Sequence, residues 1–210
     1  MKKTQSLSCR LINLIMIIVF TPLSTFAELK VGSAAPQFSL PNAEGKNVSL
    51  ESFKGKTVVL EWTNFECPFV KKHYDPKVKN MQNLQRTATK DGVIWLSINS
   101  SGKGKQGHLT SDALNNKIKE HESNASDYLI DENGIVGKLY GARTTPHMFV
   151  IDALGIVRYA GAIDDTRSAD PSDIPQSKNY VQQALAELNE NKPVSVPVTE
   201  PYGCSVKYAL

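Results

Sequence analysis

Cysteine is scarce in this chain. Three stand in 210 residues, at positions 9, 67 and 204, and no two are close in sequence. That spacing leaves no pair of cysteine pairs for a zinc-finger type of site. An excess of one charge is also missing. The formal net charge is +3, and Lys2, Lys3 and Arg10 stand in the first 27 residues with no acidic partner there. Beyond that segment the chain is formally neutral, which excludes the basic excess or stripe of a nucleic-acid footprint. Long apolar runs are nearly absent. The run from Leu11 to Phe20 is too short, and followed too soon by Pro22 and Ser24, for a comfortable membrane span. Internal repeats and low-complexity tracts are lacking as well.

What the first residues do contain is a basic start, an apolar run and a small-x-small site at Thr25-Phe26-Ala27, just before Glu28. This pattern predicts a secretory signal peptide over residues 1–27, with an uncleaved anchor as the alternative. Cleavage removes Cys9 and leaves Cys67 and Cys204, an even pair that an exporting route would permit to form a disulfide. Taking 27 residues from 210 leaves 183. That is one domain by length, burying roughly 70% of its unfolded surface, so it needs no disulfide merely to have a core. The expected division is a domain over residues 28–191 and a tail over 192–210 that carries Cys204.

Along the domain, Phe38, Leu40, Val48 and Leu50 alternate about a turn at residues 42–46, as in a small hairpin. "TVVLEW" and "VIWLSI" read as central strands covered on both faces. A helix opens at Cys67-Pro68, where proline's missing N–H costs nothing, and Asp75-Pro76 interrupts it. A second follows with Val78, Met81, Leu84 and Ala88 at helical spacing, ending at Gly92. Thr110 or Ser111 caps a helix with a thin apolar face. "YLI" is a short strand and "NGIVGKLYGA" a short helix. "HMFVID" and "GIVRYAG" are strands joined at Ala153-Leu154-Gly155, and "NYVQQALAELNE" is the last amphipathic helix. The tail, rich in proline, is predicted extended or irregular. Strands alternating with helices predict an α/β sandwich on one mixed sheet.

Cys67 stands where an apolar strand ends and a helix begins. Backbone N–H groups there favour the thiolate, the reactive form of cysteine. Lys71 would assist if it faced the sulfur, and Glu66 would oppose it. The competing reading is a small buried hydrophobe.

These segments carry a family resemblance. "APQFSLPNAEGKNVSLESFKGKTVVLEW" resembles the N-terminal part of peroxiredoxins and related redoxins, the alkyl hydroperoxide reductase/thiol-specific antioxidant group. "VVLEWTNFECPFV" is similar to the thioredoxin pattern of strand, tryptophan turn and Cys-x-x-Cys, with Val70 in place of the second cysteine. "RTTPHMFVID" resembles the thioredoxin-fold segment with a cis-proline. "PYGCSVKY" resembles the C-terminal end of a peroxiredoxin-like subgroup with a single cysteine in its first motif. The resemblance implies a thioredoxin-like three-layer sandwich with a central mixed sheet and a redoxin-type N-terminal hairpin. It implies Cys67 as nucleophile and Thr145-Pro146 as a platform where an extended substrate adds a short strand. Trp62, Asn64 and Pro68 flank the cysteine on the candidate substrate side. Glu61 falls where thioredoxins resemble one another in a buried acid able to move a proton, though it could equally reach an edge or a lysine.

Two departures bear on function. Peroxiredoxins resemble one another in a Thr or Ser where Asn64 stands, and in an arginine where Pro146 stands. Those groups bind and polarise peroxide, so disulfide exchange is favoured over peroxidase action unless Arg143 substitutes. Exchange needs a resolving thiol, and Cys204 is the remaining cysteine. The tail folding back to Cys67, a static staple and two thiols that never meet all stay open.

Weaker signals are set aside. Gly102 to Gly107 matches G-x-G-x-x-G but lacks a helix opening at the glycines, and reads as a flexible basic loop. Cys67, His73 and His147 lack metal-site spacing, and Asp164, Asp165 and Asp170 read as a solvated loop. The expectation is therefore an exported, periplasmic thiol–disulfide oxidoreductase without metal or cofactor. Its expected partners are thiols and disulfides of proteins or small molecules, with no nucleic acid and no stable membrane insertion. A thiol peroxidase acting on peroxide is the first alternative. A non-catalytic binding module with a structural disulfide is the second.

Overall fold

The computed structural model describes residues 29–209; the expected signal segment lies outside them. Strands β1 (Ser39–Pro41) and β2 (Asn47–Ser49) form the expected antiparallel hairpin. The central sheet has five strands in the order β5-β4-β3-β7-β8. In it β3 (Val58–Trp62), β4 (Ile94–Asn99) and β5 (Asp127–Ile130) run parallel, and β7 (His147–Ile151) and β8 (Val157–Gly161) are antiparallel to their neighbours. All five residues of β3 are buried, as its continuous apolar run requires of a central strand.

Alternation along β3 divides the core. Val59 packs with Val70 of α1 (Pro68–His73), Met81 and Leu84 of α2 (Asn80–Lys90), Leu114 of α3 (Ser111–Glu120) and Val181 of α5 (Tyr180–Asn189). Val58, Leu60 and Trp62 face the hairpin and Val136 and Tyr140 of α4 (Ile135–Tyr140) on the other side. The result is the expected three-layer sandwich. Val78 is the one misplaced helical residue. Asp75 Oδ1 accepts hydrogen bonds from the backbone N–H groups of Lys77 and Val78, and this turn holds Val78 ahead of α2.

Beyond α5 the chain is extended but tied down. Ala160 donates to Pro197 O, Thr199 N donates back to Ala160 O, and the open edge of β8 is thereby covered. Further on, β9 (Cys204–Ser205) pairs antiparallel with β6 (Thr144–Thr145), setting Cys204 opposite Thr145. Val206 N donates to Arg143 O at 3.0 Å, and Tyr208 Oη donates to Ala142 O at 2.7 Å.

The approach is close enough to demand glycine before Cys204. A Cβ on Gly203, whose φ is +135°, would lie 2.1 Å from Thr145 O. Gly203→Ala is therefore expected to break the β6–β9 pairing while leaving the sheet intact. Amide exchange should lose protection at residues 202–206 and keep it in β3 and β7; unchanged protection in the tail would contradict the packing argument.

Candidate active site

Cys67 is the N-cap of α1, and Pro68 is its first residue. Val70 N and Lys71 N donate to Cys67 O at 3.0 and 2.9 Å, so the carbonyl starts the helix while the sulfur is left free of capping duty. Sγ donates instead to Thr145 O at 3.1 Å, next to the cis Thr145-Pro146 peptide bond. That carbonyl belongs to the residue Cys204 is paired with, so the two cysteines come together over Thr145. Both are free thiols. Cys67 is fully buried, with 0% exposure, and Cys204 is half-buried.

Their acidities are split. Burial pushes the Cys67 thiol up, but hydrogen bonds outweigh it and leave its pKa below the usual cysteine value. The Cys204 side chain acts most, with the Thr145 side chain and the backbone of Val70 and Cys204 after it. The Thr145 hydroxyl is buried with no hydrogen-bond partner of ordinary geometry. Val70 thus contributes its amide where a thioredoxin motif has a second sulfur. Cys204 is pushed up to about 11 by burial and by its neighbour Cys67. Lys71 is exposed and is not among the causes, and Glu66 is turned away, with Oε2 accepting from Gly107 N at 3.1 Å.

Glu61 is fully buried on the α1 side of β3. It meets neither a lysine nor an edge. Four neutral donors surround its carboxylate: Trp95 Nε1 at 2.8 Å, Ser97 Oγ at 2.9 Å, Gln85 Nε2 at 3.1 Å and Tyr74 Oη at 3.2 Å. Burial raises its pKa against those hydrogen bonds.

The flanking residues divide. Pro68 is exposed beside the cysteine. Trp62 lies away from it, because alternation turns its ring to the opposite core, against Tyr140 and Phe149, with Nε1 donating to Ser100 Oγ at 3.0 Å. Asn64 is buried and shapes the loop: its Oδ1 accepts from Glu66 N at 2.9 Å and its amide donates to Gln106 O at 3.3 Å. The glycine-rich loop is accordingly not a free basic loop. Asn64, Glu66 and Asn99 tie it at Gln106 and Gly107, and Gly102 N donates to Lys207 O of the tail. Arg143 reaches outward to Glu200 at 3.0 Å. His147 Nδ1 accepts from Arg143 N. Among the described residues no group of three or more His, Cys, Asp or Glu side chains is placed to hold a metal ion.

One cluster lay beyond the sequence reading. Asp164 is 2% exposed and not solvated: it pairs with Lys72, itself 1% exposed, at 3.3 Å. Tyr202, two residues before Cys204, donates to Asp164 and also meets Lys72 and His73. The lysine is hidden in "VKKHY" because neighbouring Lys71 is exposed; helical spacing from Phe69 and Val70 would have offered a hint that position 72 points elsewhere.

The model of the AhpC/TSA family matches residues 31–160. The chain belongs to the AhpC/TSA family. Thiol-disulfide oxidoreductase ResA of Bacillus thuringiensis is 28% identical over 130 residues, covering 62% of this chain and 68% of that protein. The chloroplastic peroxiredoxin Q of Sedum lineare is 27% identical over 153 residues, covering 64% and 81%. An uncharacterised conserved protein of Geobacillus kaustophilus has a similar crystal structure, with TM-score 0.70, 27% identity, and 86% and 93% of the two chains covered. The tail with Cys204 lies past the residues matched by the family model. In this AhpC/TSA protein the strand at Thr144–Thr145 is paired with that tail.

Ultraviolet titration of the reduced protein should show two thiolate steps, Cys67 below the usual cysteine value and Cys204 at about 11, and Cys204→Ala, which removes the donor, should raise the Cys67 step. Two coincident steps would contradict the split. For Glu61, the raised folded pKa means its contribution to stability is complete below the usual carboxylate value and is lost as pH rises through the folded one. Glu61→Gln cannot titrate, so urea melts should show the variant gaining on wild type as pH rises above the usual carboxylate value; a difference that stays flat with pH would refute the shift.

Proposed function

We propose that this protein is an exported thiol–disulfide oxidoreductase in which Cys67 is the nucleophile and Cys204 resolves the intermediate. The observation that carries this reading is the register of β6 and β9, which sets Cys204 opposite Thr145, whose carbonyl accepts from the Cys67 thiol. The split in acidity with the tail docked agrees with this assignment, since it is Cys67 and not Cys204 that the site favours as a thiolate. The names of the ResA relatives place disulfide chemistry within the family.

The exchange runs in two steps. Cys67 thiolate attacks a substrate disulfide: its sulfur bonds one substrate sulfur, and the other leaves as a thiolate and takes up a proton. Cys204, having lost its proton, then attacks Cys67 Sγ; the Cys67–Cys204 bond forms and the second substrate thiolate leaves. Two electrons pass from the protein dithiol to the substrate, and the reverse sequence oxidises a substrate dithiol. Glu61 belongs to this proposal as a proton carrier. Burial lets it keep a proton above the pH at which a free carboxyl loses one, and its partner Tyr74 is the C-cap of the helix that Cys67 begins.

Burial of Cys67 under β9 requires the tail to lift before a substrate disulfide enters. Proteins and small molecules bearing thiols or disulfides are the partners of such a site. The periplasmic placement rests on residues 1–27; among the described residues no helix is long and apolar enough to cross a membrane. Peroxide fits less well, because Asn64 spends its amide on the loop and Arg143 reaches Glu200.

The test is trapping. Cys204→Ser incubated with a disulfide-bonded model protein should accumulate a mixed disulfide at Cys67, while the unaltered protein should release reduced substrate and end with a Cys67–Cys204 bond. Hydrogen peroxide should be consumed slowly by both. Fast peroxide turnover without mixed disulfide would sink this reading in favour of a peroxidase, and inertness toward both would favour a binding module.

A further inference from the structure

The cluster around Tyr202 is built more fully than a packing contact needs. Tyr202 is 4% exposed, and its ring meets Phe69 edge-on with centroids 5.9 Å apart. Its hydroxyl donates to Asp164 Oδ1 and lies 3.4 Å from Lys72 Nζ and 3.3 Å from His73 Nε2. Asn80 Nδ2 meets His73 Nδ1 at 2.8 Å, so His73 with its proton on Nε2 donates to Tyr202. Burial and the Lys72 charge push His73 down to about 3, which keeps it neutral.

Lys72 has three N–H donors and meets three acceptors: Asp164, Thr166 O at 2.8 Å, and Tyr202. Asp164 accepts from Lys72, Tyr202 and Thr166 N. A buried ion pair is costly when a partner is missing, because the orphaned charge remains out of water. Here the pair is complete when the tail is docked. Phe69, Lys72 and His73 all belong to α1, the helix whose N-cap is Cys67. The helix that carries one thiol therefore grips the tail two residues before the other.

We propose that Tyr202 is the positioning residue of the resolving strand: bonded to Asp164, Lys72 and His73, it sets how much of the time Cys204 stands against Cys67. The inference rests on the reading that Cys204 resolves Cys67, and adds to it the element that governs opening. When the tail lifts, Lys72 and Asp164 lose a partner they regain on redocking, so the strand returns to one register and Cys204 returns to the same sulfur.

Alkylation of the reduced protein by iodoacetamide tests this, with each cysteine followed by peptide mass and each thiol pKa measured alongside. Tyr202→Phe keeps the ring and removes the hydroxyl. It should speed Cys67 alkylation roughly tenfold or more, after correction for thiolate fraction, and change Cys204, already partly exposed, much less. Glu200→Ala, which breaks an exposed ion pair on the same tail, should change Cys67 alkylation less than about twofold. Equal Cys67 rates in Tyr202→Phe and wild type would overturn the proposal. So would parallel acceleration of both thiols with a lowered melting temperature, the mark of a purely structural residue. The underlying pairing is checked separately: wild type equilibrated with oxidised and reduced glutathione should form the Cys67–Cys204 disulfide. Its absence overturns the pairing and with it any resolving role, whereas its presence with unchanged alkylation overturns the role of Tyr202 alone.

Discussion

Everything particular to this molecule depends on two residues of backbone pairing. Thr144 and Thr145 pair with Ser205 and Cys204, and that register fixes the rest of the site. It covers Cys67 and brings the side chain and backbone of Cys204 close enough to hold the Cys67 pKa down. The chain supplies to its own platform the kind of extended strand that the resemblance reserves for a substrate. Without that register Cys67 would be an ordinary half-shielded thiol at the start of a six-residue helix, too short for a large dipole to act on it alone.

Two buried acids show how differently the fold meets the cost of desolvation. Asp164 is given a cation, and the resulting pair needs every hydrogen bond it can make. Glu61 is given only neutral donors, and its pKa rises despite them. The first solution ties a charge to the position of the tail. The second keeps a protonatable group in the middle of a rigid sheet, between β4 and β7. Both acids are met from the C-terminal end of α1: Tyr74, its C-cap, contacts Glu61, and Lys72 and His73 in its last turn reach Asp164 and Tyr202.

The fold was legible because its signals are local. The near-continuous apolar run of β3, the alternation of the hairpin and the Cys-Pro start of α1 each reflect burial or backbone chemistry within a few residues. Part of the site was legible for the same reason. Cys67 and the Thr145-Pro146 segment sit in local patterns that resemble known ones. What escaped was long-range. Nothing near Asp164 in sequence announces that a lysine ninety-odd residues earlier will replace water around it, so a run of aspartates reads as a solvated loop. Trp62 shows the opposite error. Nearness to Cys67 in sequence suggested a place at the surface, but period-two alternation sends its ring to the other face. The glycine-rich loop read as free because its restraints, Asn64, Glu66 and the tail, come from elsewhere in the chain.

A second thiol in the tail has consequences that one in a Cys-x-x-Cys motif does not. Within a motif, helix geometry holds the two sulfurs together whether or not substrate is bound. Here Val70 fills that place and offers only an amide, and the thiols meet across a loop of well over a hundred residues. In the chain-entropy model, closing such a loop by a disulfide is worth roughly 4–5 kcal/mol against the unfolded state. Noncovalent docking of the tail must supply the juxtaposition in the reduced protein. The extended contacts from Pro197 to Tyr208 do so by spreading the work over β8, β6, α1 and α4. Cysteine pairing and tail docking are therefore coupled: whatever loosens the strand exposes Cys67 and removes the donor that acidifies it. Docking thus shields Cys67 and acidifies it together, and lifting the strand exposes the sulfur as its pKa returns toward the usual cysteine value.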